Sequence, residues 1–436
     1  MTIDKITLND LNIFHQGGGD SVFELINFTN TVPGRDQLQN MLQHPFNSII
    51  HIEAIQETIQ TVGTLGLPIG VTNGTLMIVE QFYQTAFSLI PRNPSKISAH
   101  TYKALHLAEY SLLKYSITHC TDLILGMKRL IDQYEEIKIA EPLKKLIHNL
   151  QPLFKIPEID LLIKSSGIKN YTLAKQIHIA HVLRYRCKHG MIELIDAFAK
   201  IDAWHSMYLA QKKLHLVLPV FTHQNEPSLK TSGLFHVLVK DPVPYSFILN
   251  NQMGFMFLTS ANMAGKSTFI KAVGIAVYLA HIGMGVPAQH LELTLFDGLL
   301  SNINVTDNIL KGESYFYNEV QRVSYTVKKI NDGKRWLLLI DELFKGTNVQ
   351  DAMKCSLTVI EGLLKIKTSL FILSTHLYEI ADQLRRHPNI IFRYFETTIE
   401  NEKPVFHYQL REGVSTDRLG YLILKQSGVV DLLKNI

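Results

Sequence analysis

The stretch Phe255 to Ile270, FMFLTSANMAGKSTFI, constrains this 436-residue chain more than any other. Phe255 to Thr259 read as a buried strand, Ser260 to Gly265 are small enough for a tight loop, and Lys266 opens a helix. The first backbone N–H groups of a helix have no partners within it. Such a turn therefore aims free donors and the positive helix end at one point, which is a seat for phosphate. Lys266 is placed to reach the β and γ oxygens of a triphosphate, and the Ser267 hydroxyl to ligate Mg²⁺. The phosphate-loop pattern asks for Gly at its first position, where this chain has Ser260, and Ala264 stands where a second glycine would. The Cβ of Ser260 narrows the allowed backbone angles without forbidding the turn. Taken alone, the stretch also fits an ordinary strand-to-helix turn that happens to contain GKST.

Three downstream segments bear on that choice. Trp336 to Ile340 is an apolar strand that runs into Asp341 and Glu342. In open α/β sheets ligands bind at the carboxyl ends of strands, so these two acids arrive where the phosphates would be. Asp341 would hold the Mg²⁺ hydration shell, and Glu342 would orient or deprotonate an attacking water. The bland reading is a pair of acids at a helix N-terminus. Leu373 to Thr375 forms another apolar strand end, followed by His376, whose imidazole could donate to a γ-phosphate or to that water. Last, Asp307 to Phe316, with Glu319 following, contains Gly312-Glu313-Ser314 ahead of a helical pattern. A simple N-cap explains it. So does a second anion-binding turn that closes over the nucleotide of a partner subunit, completing two sites across a symmetric dimer.

Along the chain, Met1 to Asp20 ends in three glycines and reads as a flexible lead-in or a turn. Short helices then alternate with turns at Val32-Pro33-Gly34 and Pro45, as in a helical bundle. From Gly74 to Leu214 helical periodicity dominates, and Asn170 to Leu214 fits one long helix with Gly190 as its weak point. A helix of that length serves as an arm between sites or as the core of a large bundle, and an apolar stripe suits both. Thr222 to Gly233 reads as a loop. Near residue 230 the composition turns β-rich, with strands expected at 235–239, 255–259, 336–340, 369–374 and 389–395. Strands alternating with helices predict a mostly parallel sheet covered on both faces. The fold class is thus α+α/β, a helical part over 1–230 and an α/β part over 231–436.

Composition sets looser bounds. With 46% hydrophobic and 19% charged residues the chain reads as globular, and a formal charge of +4 permits a nucleic-acid partner without demanding one. Cys120, Cys187 and Cys355 are scattered and outside any metal-ligand spacing, which suits a reducing compartment; with no membrane-length apolar run, a soluble cytoplasmic protein is expected.

The motifs together resemble the MutS family of mismatch-repair ATPases, within the ABC-type ATPase class. Thr259 to Thr268, TSANMAGKST, is similar to the family's TGPNMGGKST. Asp341 to Thr347, DELFKGT, resembles its DEIGRGT, and Ser374-Thr375-His376 its ATH. Gly312 to Phe316, GESYF, is similar to its GRSTF signature. The resemblance implies nucleotide contacts for Ser260, Ala261, Met263, Ala264, Gly265, Lys266, Ser267 and Thr268, with Asn262 facing the catalytic centre beside Glu342 and His376. It also implies a metal held by Ser267 and Asp341, and contact from Ser314 in trans. Phe247 and Ile248 match positions flanking the adenine, as does Tyr408. Ser21 to Thr58 resembles the start of the family's helical core domain, and Ile192 to Ala210 its lever helix. The expected division is a core and lever domain over 1–230 and an ATPase domain over 231–436. No counterpart is found for the N-terminal mismatch-recognition and connector domains, nor a Phe-x-Glu wedge, and residues 151–165 are short for a DNA-gripping clamp. The resemblance implies ATP and Mg²⁺ as ligands, a homodimer through the ATPase domains, and DNA, read without direct mismatch specificity, as partner, alongside other repair proteins. A nucleotide-dependent scaffold with weak hydrolysis and an RNA- or ribosome-binding factor remain the alternatives.

Overall fold

The computed structural model describes residues 1–14, 20–167, 171–304, 315–400, 403–415 and 420–434. The chain divides into two compact units, one comprising 1–25, 44–52 and 211–436, the other 26–43 and 53–210.

The first unit is built on two sheets. Its strands are β1 (Thr2–Ile3), β2 (Val220–Thr222), β3 (Ser228–Leu234), β4 (Tyr245–Asn250), β5 (Phe255–Thr259), β6 (His290–Thr294), β7 (Gly298–Asn302), β8 (Trp336–Asp341), β9 (Leu370–Thr375), β10 (Ile390–Glu400) and β11 (Lys403–Glu412). The larger sheet has the order β1-β7-β8-β9-β5-β10-β11 and is parallel except for the β10–β11 pair. β5, β8 and β9 lie at or next to its centre and are buried at every residue, which is why they read as unbroken apolar runs with no alternation. Helices Lys266–Ile282, Tyr315–Ile330 and Val349–Leu363 accompany the sheet. The smaller sheet, β2-β6-β3-β4, is mixed.

Two expectations change here. The segment read as a loop over 222–233 contains β3, and 235–239 is not a strand. In β3 the inward positions are Leu229, Thr231 and Gly233, and with only the first of them large and apolar the period of two is weak. The amino terminus is likewise structural over its described part. β1 extends the parallel sheet beside β7, the Met1 ammonium donates to the Pro45 and Phe46 carbonyls at 3.1 and 3.0 Å, and buried Asp10 accepts the Ile303 and Asn304 N–H groups, both at 3.0 Å.

The second unit is helical. Its longest helix, Leu107–Glu135, packs beside Asn73–Gln84, whose start is a reciprocal capping box between Thr72 and Thr75. The Asp202 carboxylate is fully buried and accepts the Asn30 and Thr31 N–H groups and the Thr31 hydroxyl, so it fixes the entry to helix Val32–Gln43, whose Gly34 N–H donates to the Thr31 hydroxyl oxygen at 3.1 Å. The stretch expected as one helix is Leu173–His181, a π turn over Val182–Arg186, and Lys188–Lys213. The interruption falls at Cys187, whose N–H donates to the Val182 carbonyl at 3.0 Å, and not at Gly190.

Candidate functional site

The carboxyl ends of β5, β8 and β9 are in register, Thr259 opposite Thr375 and Asp341 opposite Ser374. Lys266, Ser267, Asp341, Glu342 and His376 arrive at that edge. After β5 the chain turns through Met263 (φ 69°) and Gly265 (φ 101°) into the helix that starts at Lys266. Neither Ser260 nor Ala264 takes a left-handed backbone, so the two departures from a glycine-rich loop fall where a Cβ costs nothing in backbone strain. At Gly265 the requirement is real, both for its φ and because a Cβ there would stand 3.2 Å from the Tyr408 ring.

Lys266 is buried and curls into its own loop, donating to the Ser260 and Ala261 carbonyls at 2.9 and 3.2 Å. Ser267 Oγ donates to one oxygen of Asp341, and Ser374 Oγ to the other. The Glu342 carboxylate lies 4.0 Å from Lys266 Nζ, 3.5 Å from Lys345 Nζ and 3.6 Å from His376 Nδ1. Burial alone would push the Glu342 carboxyl up, but the His376 imidazole and the Lys345 and Lys266 ammoniums outweigh it and bring it down to about 2. Burial lowers the Lys266 ammonium against the pull of Glu342 and Asp341, with Lys345 acting in the same direction as burial. Glu342 holds a left-handed backbone (φ 65°), as does Phe344 (φ 61°), so the acidic turn is under strain.

These groups face a cavity of about 700 Å³. Asn262, Met263, Gly265, Lys266, Ser267 and Thr268 line it on one side and Asp341, Glu342 and Lys345 on another; Ser260, Ala261 and Ala264, expected as contacts, are buried and do not line it. His376 is half exposed and touches the site through Glu342. The rest of the lining comes from Val239 to Val243, His236, Tyr245 and Tyr408. Sequence reasoning reached only Tyr408 among these. The sequence suggests a strand over 235–239, which gives this segment no place at the site, and its position beside the loop is a matter of tertiary structure. Tyr245 is the first residue of β4 and packs edge-on against Phe269, 5.2 Å between centroids. Burial, then the neighbouring Tyr408, raises its phenol to about 12, and burial, then Lys271, lowers His236 to about 4, so both are neutral near physiological pH. Phe247 and Ile248 do not line the cavity. Phe247 is buried against Phe269, 5.4 Å between ring centroids, and Ile248 is 47% exposed on the opposite face of β4. Ser314 lies outside the described residues.

The donor set suits a hard cation. Ser267 and Asp341 present a hydroxyl and a carboxylate side by side, which is oxygen-only ligation of the kind Mg²⁺ takes.

In the helical unit the basic residues of the long-helix region are largely engaged. Arg184 donates to the Phe82 and Thr85 carbonyls and lies 5.4 Å from the Phe82 ring centroid; Lys164 pairs with Asp160 at 2.6 Å and Arg186 with Glu158 at 3.6 Å. Lys175 lies over the Tyr171 ring. Arg184 thus serves as a helix C-cap, not as a surface cation. Among the described residues no helix is long and apolar enough to cross a membrane.

Comparison with known proteins assigns residues 256–433 to MutS domain V, so the acidic strand, the loop and His376 all fall inside one family module. The chain is 26% identical over 281 residues to the DNA mismatch repair protein MutS of Petrotoga mobilis, covering 63% of this chain and 34% of that protein. It is 27% identical over 252 residues to the protein of the same name from Thermotoga maritima (57% and 31%), and 26% over 246 residues to that of Streptococcus agalactiae (55% and 28%). Residues 256–433 are thus similar to MutS domain V, and the chain is similar to the MutS proteins over little more than half its length. It spans about a third of the length of the curated relatives it matches.

Proposed function

We propose that this chain is a MutS-like ATPase that binds Mg·ATP in the Lys266 cavity, hydrolyses it to ADP and phosphate, and works as a homodimer through its ATPase parts. The ATP cycle moves helical arms on DNA, in mismatch repair or related DNA-structure processing. The convergence of Lys266, Ser267, Asp341, Glu342 and His376 on one edge of a parallel sheet carries the reading. The functional division is a core and lever domain over 1–230 and an ATPase domain over 231–436, with β1 and β2 lending strands to the latter.

The chemistry follows from the charges. A triphosphate competes for Lys266 Nζ, which leaves the Ser260 and Ala261 carbonyls and turns toward phosphate oxygens. Ser267 and Asp341 would hold Mg²⁺, which would supply positive charge against the negative charge developing on the phosphoryl oxygens. Glu342 is a poor proton acceptor while the His376 imidazole and two ammoniums face it. Once phosphate draws Lys266 and Lys345 away, its proton affinity rises, so it becomes an effective base or water-orienting group only with substrate in place. His376 donates toward the γ-phosphate or the water. Asn262 borders the reacting centre from the loop, and Tyr408, above Gly265, packs against the base. Ser314 engages the partner subunit's nucleotide.

DNA as partner rests on the relatives, which are named DNA mismatch repair proteins. The deciding experiment measures Mg²⁺-dependent ATP turnover and self-association of wild type and Glu342→Gln. Turnover that falls sharply in the variant supports hydrolysis. Equal, negligible rates with retained binding point to a nucleotide-dependent scaffold. Salt-dependent binding to duplex DNA, junction DNA and RNA identifies the nucleic acid.

A further inference from the structure

Glu319 belongs to helix Tyr315–Ile330, outside the cavity, and is 4% exposed. Among the described residues it forms no ion pair. One oxygen accepts the Lys345 N–H and the other the Gly346 N–H, both at 3.0 Å. These amides belong to the turn that carries Glu342 and Lys345, two of the charged groups of the site, and that turn is strained at Glu342 and Phe344. Left to itself a strained backbone relaxes, so something must hold it. Three contacts do so. The Glu342 N–H donates to the Ser374 carbonyl at 3.0 Å, which fixes the start of the turn. Phe344 is buried and its ring packs 5.9 Å from that of Phe316, on the same helix as Glu319. Glu319 fixes the end. Gly346 is there because nothing larger fits, since a Cβ would meet the Phe316 backbone nitrogen at 2.8 Å.

We propose that Glu319 is a positioning residue for hydrolysis: by gripping the Lys345 and Gly346 amides it sets the height of Glu342 and Lys345 over the cavity, without touching nucleotide itself. This rests on the ATPase reading above. Glutamine keeps the length but has one acceptor oxygen, so Glu319→Gln retains one of the two bonds and sets an N–H against the other amide. The phosphate loop and its Lys266 are untouched. Binding of Mg·ATP is therefore expected within about threefold of wild type, while turnover falls about 10- to 100-fold, the usual cost of losing a residue that orients a reacting group.

The experiment is a double-mutant cycle on the full chain. ATP turnover and binding of a fluorescent ATP analogue are measured for wild type, Glu319→Gln, Glu342→Gln and the double variant, with Glu319→Asp as a second probe. A residue that acts through Glu342 adds no further loss once Glu342 is gone. The expected result is a large kcat loss in the wild-type background and less than about a twofold loss in the Glu342→Gln background. Unchanged turnover in Glu319→Gln, or the same fold-loss in both backgrounds, overturns the assignment. Should Glu319→Gln fail to fold, Glu319→Asp decides in the same two backgrounds, since it keeps both acceptor oxygens and draws the turn inward. Absence of turnover and of nucleotide binding in wild type overturns the ATPase reading itself, a result distinct from either of the others.

Discussion

Replacing Glu342 with Gln should destabilise the nucleotide-free protein, and only above acidic pH. The carboxyl is lowered from 4.5 to about 2 because the attraction of His376, Lys345 and Lys266 exceeds its burial cost. A group whose folded pKa is depressed contributes stability that is fully present above its unfolded pKa and is lost as pH falls through the folded one. The drop corresponds to about 3 kcal/mol near neutral pH, and about half of that is gone by pH 3. Glutamine keeps the shape and removes the charge, so it approximates the protonated state at every pH. For a unit of this size about 3 kcal/mol shifts the melting midpoint by about 6–12 °C. The assay is thermal or urea unfolding of wild type and Glu342→Gln between pH 7 and pH 3. The gap should be widest at neutral pH and narrow steadily below pH 4.5. A gap independent of pH, or a Gln variant more stable than wild type at pH 7, would refute the account of this charge cluster.

Lys266→Met should abolish Mg·ATP binding in a fluorescence titration, and should also lower stability, since it leaves the buried Glu342 carboxylate without one of the cations that face it. Gly265→Ala should weaken nucleotide binding about tenfold or more, by forcing a side chain into a left-handed turn and against Tyr408. In the helical unit, Asp202→Ala leaves the buried Thr31 N–H and hydroxyl unpaired and should cost about 2–4 kcal/mol in urea unfolding. Tyr408→Ala should raise KM for ATP more than it lowers kcat in steady-state assays, as loss of a base contact would.

What could be read beforehand follows from how each element is buried. β5, β8 and β9 are covered on both faces, so their sequences are plain apolar runs, and the reactive residues stand immediately after them. β3 was hidden because Thr231 and Gly233 fill its inward positions. β1 is two residues long, and its pairing with β7 is written in contacts across almost three hundred positions, which no local window contains. Phe247 and Ile248 illustrate the limit of matching by position, since β4 alternates and sends only Phe247 inward, against the helix and not the cavity. Glu319 was noticed as a charge but its work is done through backbone amides, for which side-chain patterns hold no signal. The arrangement of His236 and Tyr245 around the cavity mouth depends on where two sheets meet the loop.

The path of the chain has a practical consequence. It passes between the two units at residues 25/26, 43/44, 52/53 and 210/211, so the sheet-bearing unit is assembled from three separate pieces. A fragment starting near residue 231 would carry every motif of the phosphate site, yet it would leave β7 as a bare edge, take the Asp4 carboxylate away from buried Arg322, and strip Ser301 and the Ile303 and Asn304 amides of Asp10. Expression of that fragment invites aggregation, and an inactive product would say nothing about the chemistry of the intact protein.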